Sequence, residues 1–138
     1  RAAAAANRPG QGGLNAPPAY SERVRALFAR PAHAGDADGP RVDLARGDSR
    51  IVLSAELADG RLARLAFRAF GCPHLIAAAE AACAACEGRG TDALAAWEAR
   101  AAIAELAVPL EKTGRILLLE DAIRALHEKL TASVPGRN

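Results

Sequence analysis

The stretch Phe67–Glu87, FRAFGCPHLIAAAEAACAACE, holds the sharpest change of pattern in the chain and all three of its cysteines. Arg64, Arg68 and Phe70 alternate with Leu65, Phe67 and Ala69, the period of a half-buried strand. Gly71 breaks that run, and Pro73 suits the first position of a helix, where a missing N–H costs nothing. From His74 onward the residues are mostly strong helix formers. Cys72 therefore falls at a strand-to-helix switch, where free backbone N–H groups and the positive end of the helix dipole favour a thiolate. A small buried hydrophobe is the competing reading of any free cysteine. The position of Cys72 argues for chemistry.

Upstream of this stretch, Ile51, Leu53, Ala55 and Leu57 alternate with Val52, Ser54 and Glu56, and Arg41–Ala45 is a weaker strand candidate. Asp59-Gly60 is a hairpin signal between the second run and Leu62–Phe70. Before the strands, Ser21 can cap a short helix from Glu22 with Val24, Leu27 and Phe28 as its apolar stripe, ended by Pro31. PAHAGDADGP then reads as a loop, with His33 solvated in it. Downstream, the alanine helix from Pro73 to Cys86 stops at Glu87-Gly88-Arg89-Gly90. Thr91 can cap a continuous helix over Asp92–Ala107, with Leu94, Trp97, Ile103 and Leu106 inward. Pro109 interrupts, Gly114 marks a loop, and Ile116–Leu130 forms the last helix with Leu119, Ile123, Leu126 and Leu130 on one face. Strands followed by helices imply an α+β domain: a small antiparallel sheet of about three strands with helices packed on one face. Residues 1–18 read as a flexible tail, 19–132 as a single domain and 133–138 as a flexible end.

Bulk properties exclude several classes of function. A chain of 138 residues with net charge +2 and no basic block offers no nucleic-acid surface. No apolar run reaches the length of a membrane span. Three cysteines at low density suit a reducing cytosol better than a disulfide framework, so a cytoplasmic location is expected. The chain opens on Arg1 rather than Met, so its native start is expected to differ.

Taken in order, SERVRALFARPAHAG, LARGDSRIVL, the strand ending AFRAFGC, the alanine helix ending EGRG, and ILLLEDAIRAL resemble the IscU/NifU-type scaffold of iron–sulfur cluster assembly. The resemblance runs collinearly from about Tyr20 to Leu130 and implies a small antiparallel sheet with helices on one side. It also implies a site for a cluster, iron or zinc on three cysteines and one aspartate, with a histidine beside the third cysteine. Here the family's C-G-D triplet is Arg46-Gly47-Asp48, so the aspartate is kept and the cysteine lost. The second cysteine is Cys72. The K-x-H-C run is Lys112-Thr113-Gly114-Arg115, without histidine or cysteine. The chaperone-recognition segment becomes Val108-Pro109-Leu110-Glu111-Lys112, and the serines after the second cysteine become Ala78, Ala79 and Glu80.

Clusters and structural zinc generally take four ligands, and Cys72 with Asp48 supplies two. No bound cofactor is therefore expected in the protein as purified, although the resemblance allows iron, an iron–sulfur cluster or zinc. Cys83 and Cys86 form a C-x-x-C, but Cys83 lies about 16 Å along the helix from Cys72, too far to share a cluster. The pair is expected to be structural. His74 is either a third ligand or base for Cys72, or a cap-region histidine facing water. His127 reads as solvated. Arg46 and Arg115 replace cysteines, and an ion pair from Asp48 to one or both of them is expected to stand in for the metal, with cationic charge favouring the Cys72 thiolate. The competing reading of both arginines is a loop side chain in solvent.

Three functions compete. One is a divergent assembly scaffold that accepts sulfur at Cys72 or binds a cysteine desulfurase or another assembly protein. A second is an interaction or regulatory module without metal chemistry. The third, ranked last, is a small thiol enzyme using Cys72 and His74. A non-enzymatic protein is expected.

Overall fold

The computed structural model describes residues 20–132. The two flexible ends expected from sequence, 1–18 and 133–138, lie outside the described residues. Helix α1 spans Glu22–Ala29, and the Ser21 hydroxyl caps it by accepting from the Val24 N–H at 3.2 Å. Strands β1 (Arg41–Arg46), β2 (Ser49–Ala58) and β3 (Arg61–Phe70) follow as an antiparallel sheet in the order β1-β2-β3. Ala58 pairs with Arg61, leaving Asp59 and Gly60 as a two-residue turn with φ of 56° and 75°. Both positions demand the left-handed region, which explains an Asp-Gly pair there.

One face of the sheet is the core. Leu53 stands opposite Val42 and Phe67, and Ala55 opposite Leu65, all buried. Helix α2 (Pro73–Cys86) packs on β3, and α5 (Thr113–Ala132) packs on β1 and β2. Ile116, Leu119, Ile123, Leu126 and Leu130 of α5 are at most 2% exposed, the stripe expected of its apolar spacing. The expected α+β architecture is thus present.

The other sheet face is partly covered too. Val52, Ser54 and Ala66 are buried there, because the segment before β1 folds across it and the Ala37 N–H donates to the Ser54 hydroxyl at 2.8 Å. That segment is no free loop. Ala34 bridges to Phe67 on the β3 edge, the Gly35 N–H donating to the Phe67 carbonyl and the Phe67 N–H to the His33 carbonyl.

Several expectations need correction. His33 is not solvated: its ring lies between Glu80 and Glu87 of the α2 region. The helix expected over Asp92–Ala107 is two helices, α3 (Asp92–Ala96) and α4 (Ala99–Leu106), with Trp97 and Glu98 extended between them. Helix α5 makes that break tolerable, since Arg124 donates to the Trp97 carbonyl at 2.7 Å and Glu120 accepts from the Ala99 N–H at 2.8 Å. Side chains from another helix thus satisfy the backbone groups the break would orphan. The Thr91 side chain makes no capping bond. The last helix also begins earlier than expected, at Thr113, so Gly114 is helical rather than in a loop. A short 3₁₀ turn over Leu110–Lys112 leads into it, with the Thr113 hydroxyl on the Leu110 carbonyl. His127 is half-buried rather than solvated.

Candidate functional site

The β1–β2 turn, the β3–α2 junction and the start of α5 meet at one end of the sheet. Gly71 has a φ of 138°, and a Cβ there would sit 2.9 Å from the Ser49 hydroxyl and 3.4 Å from the Asp48 carbonyl. Only glycine lets the β3–α2 junction approach the turn this closely. The next residue, Cys72, is the extended N-cap of α2, its carbonyl accepting from Leu75 and Ile76. Its thiol makes no capping bond and is 7% exposed, packed with the apolar core.

Across from it, Arg115 reaches back from α5. Its Nη2 lies 3.5 Å from an Asp48 carboxylate oxygen, and its Nε donates to the Ser49 hydroxyl at 3.3 Å. Ser49 is buried and also meets the Asp48 carboxylate at 3.5 Å. Of the two arginines expected to pair with Asp48, Arg115 does. Arg46 turns away to Asp121 of α5 at 2.9 Å. Arg46, Asp48, Ser49, Glu111 and Arg115 border a cavity of about 220 Å³.

His74 corrects both sequence readings of it. It does not face water, being fully buried against the Tyr20 ring at a centroid distance of 5.0 Å. Neither ring nitrogen has a hydrogen-bond partner, so it is not positioned as a base for Cys72 either. Burial, with the positive charges of Lys112 and Arg115 adding to it, holds the His74 pKa below the usual 6.5.

The ligand set for a metal is not assembled. Among the described residues, no group of three or more His, Cys, Asp or Glu side chains is placed to hold a metal ion. The retained Asp48 faces a guanidinium. The described residues thus set Asp48 against Arg115 rather than in a shared donor set. Cys83 and Cys86 are 2% and 3% exposed. Burial pushes the Cys83 thiol up, with Glu80, Cys86 and Glu87 adding to it. Burial also raises Cys86, against the opposing charge of Arg89. The Cys86 thiol points to the Ala93 carbonyl at 3.7 Å. Cys83 and Cys86 are placed as core residues rather than as a reactive pair.

The sequence reading missed the roles of Ser49 and Glu80. Ser49 gave no signal beyond its place after Gly47-Asp48. Glu80 offered one: a carboxylate within an alanine helix on the same side as buried neighbours needs a partner.

No helix among the described residues is long and apolar enough to cross a membrane. No curated protein matches the chain. Solved structures share its fold. One, described as a nitrogen-fixing NifU-like protein (N-terminal) from Brucella abortus, superposes with a TM-score of 0.67 at 15% identity, covering 83% of this chain and 95% of that one. Another, described as a hypothetical protein, gives a TM-score of 0.53 at 21% identity, covering 73% and 96%. The family model for the NifU-like N-terminal domain matches residues 19–132, and this chain belongs to that family, one of scaffold type in iron–sulfur assembly.

Proposed function

We propose that this protein serves iron–sulfur assembly without holding a conventional cluster on a single chain, and that Cys72 is its sulfur acceptor. The observation that supports this reading is the Arg115 guanidinium set between Asp48 and Ser49. A positive group stands where a cation would be shared, and Asp48 is paired within the chain itself. Cys72 and Asp48 alone fall short of the four ligands a cluster or zinc takes.

Accepting sulfur needs only one thiol. The Cys72 thiolate attacks the outer sulfur of a persulfide on a donor such as a cysteine desulfurase. A new S–S bond forms on Cys72 while the donor's S–S bond breaks and its thiolate leaves. The protein is then a carrier and not an enzyme, working in the cytoplasm beside its donor. Because the thiol is 7% exposed, the junction at Gly71–Pro73 opens on the partner before transfer. The same burial favours a second reading, an interaction or regulatory module that keeps the fold and has no sulfur chemistry.

Incubation with a desulfurase and free cysteine, followed by mass spectrometry, separates the two. The first reading requires one sulfur added at Cys72 and none on a Cys72→Ser variant. Absence of the adduct, with the desulfurase still retained by the protein, supports the second. Stoichiometric iron and acid-labile sulfide after anaerobic reconstitution overturns the proposal that no cluster is held.

A further inference from the structure

Glu80 is a charged residue inside an alanine helix, 5% exposed, and its partner lies in the segment before the sheet. His33 Nδ1 is 2.6 Å from Glu80 Oε2, and His33 Nε2 is 3.0 Å from Glu87 Oε1. A neutral imidazole has one N–H, so its second nitrogen would set a lone pair against a carboxylate oxygen. Only the imidazolium donates to both. The remaining carboxylate oxygens are also engaged: Glu80 Oε1 accepts from the His33 N–H at 2.8 Å and Glu87 Oε2 from the Leu65 N–H at 2.9 Å. The ion group therefore fastens α2 to β3 and to the segment on the β3 edge.

From this geometry we infer that His33, Glu80 and Glu87 form a pH-operated clasp, which holds the His33–Gly35 segment on the edge of β3 and releases it as the solution becomes alkaline. From α2 and its C-cap the groups facing the ring are Glu80 and Glu87. Strand β3 meets it with backbone from Leu65 and Phe67. The segment's own Asp36 is occupied by Arg41 and Arg68.

Burial pulls the His33 pKa down, but the hydrogen bonds and charges of Glu80 and Glu87 reverse this and hold it above 6.5. A raised folded-state value means that the clasp contributes fully below 6.5 and is lost as pH rises through the folded-state value. Loss of the proton removes one ring hydrogen bond and leaves two carboxylates with no cation between them. The Gly35 N–H and the Phe67 N–H then lose the alignment that pairs them, and the β3 edge is bared.

The test is amide exchange on the full chain at about pH 6 and about pH 9, corrected for intrinsic rates, with the His33 ring followed by nitrogen NMR. A clasp lowers protection at Gly35 and Phe67 by about tenfold at the higher pH, the scale of a local opening, while the centre of β2 keeps its protection. In His33→Gln, which cannot titrate, that pH-dependent loss disappears. Equal protection at both pH values, or a ring that titrates at or below 6.5, overturns the inference. The wild-type measurements decide the matter even if the variant fails to fold.

Discussion

Two histidines flank helix α2, and their surroundings are opposite. His33, at the C-terminal end, has a carboxylate on each ring nitrogen and a pKa held above 6.5. His74, in the first turn, is fully buried with no partner on either nitrogen and a pKa held below it. Burial alone opposes charge at both places, and only the carboxylates reverse it. The fold is therefore constrained from two sides of neutrality. The His33 contribution is lost as pH rises through its folded-state value. That of neutral His74 is present above 6.5 and lost as pH falls towards its own depressed value, because the unfolded chain then binds the extra proton.

The contrast can be broken at several points. Glu80→Ala should have the largest effect, about 3 kcal/mol of lost stability in urea unfolding, since it strands a buried donor and half the ion group. A loss below about 1 kcal/mol would show the clasp to be slack. Next, changing Cys83 and Cys86 together to alanine should cost about 2 kcal/mol through lost packing. It should leave metal content and alkylation of Cys72 unchanged, and loss of a bound metal would contradict the core assignment. His74→Leu should change neutral stability by less than about 1 kcal/mol, because the imidazole it removes makes no hydrogen bond. Its signature is the pH profile: the acid-side decline should flatten while the alkaline decline persists. The smallest effect on stability is expected for Arg115→Ala, about 1 kcal/mol or less for a partly exposed pair. It should nevertheless loosen the β1–β2 turn, raising amide exchange at Ser49, where Arg115 donates to the hydroxyl. Arg46→Ala should not, as Arg46 is engaged with Asp121. Equal exchange in both variants and the parent would remove Arg115 from the site.

What was legible in the sequence was short in range. The Asp59-Gly60 turn, the Ser21 cap and the strand-to-helix switch at Cys72 depend on residues within a few positions, and each is present. The collinear motifs also led to the right family. What was hidden depends on partners far along the chain. The break between α3 and α4 is held by Glu120 and Arg124, which no local pattern near Trp97 announces. His33 resembles a loop histidine until α2 brings Glu80 against it. At the candidate site, the tie from Asp48 to Arg115 followed from the substituted motifs. The diversion of Arg46 to Asp121 did not, because it depends on how α5 lies across β1.

The tight turns of the sheet have a kinetic consequence. Strands β1, β2 and β3 are joined by two-residue turns, so their ladders close loops that are short and entropically inexpensive. The Arg115 link to Ser49 and Asp48 joins residues 66 and 67 positions apart, and it requires α5 to have docked. Pairing of the meander thus precedes closure of the site along the folding route. Substitutions at the link should show φ-values near zero, speeding unfolding and leaving the folding rate almost untouched, whereas changes at Asp59-Gly60 should slow folding itself. The end of the molecule that carries Cys72 then assembles after the sheet.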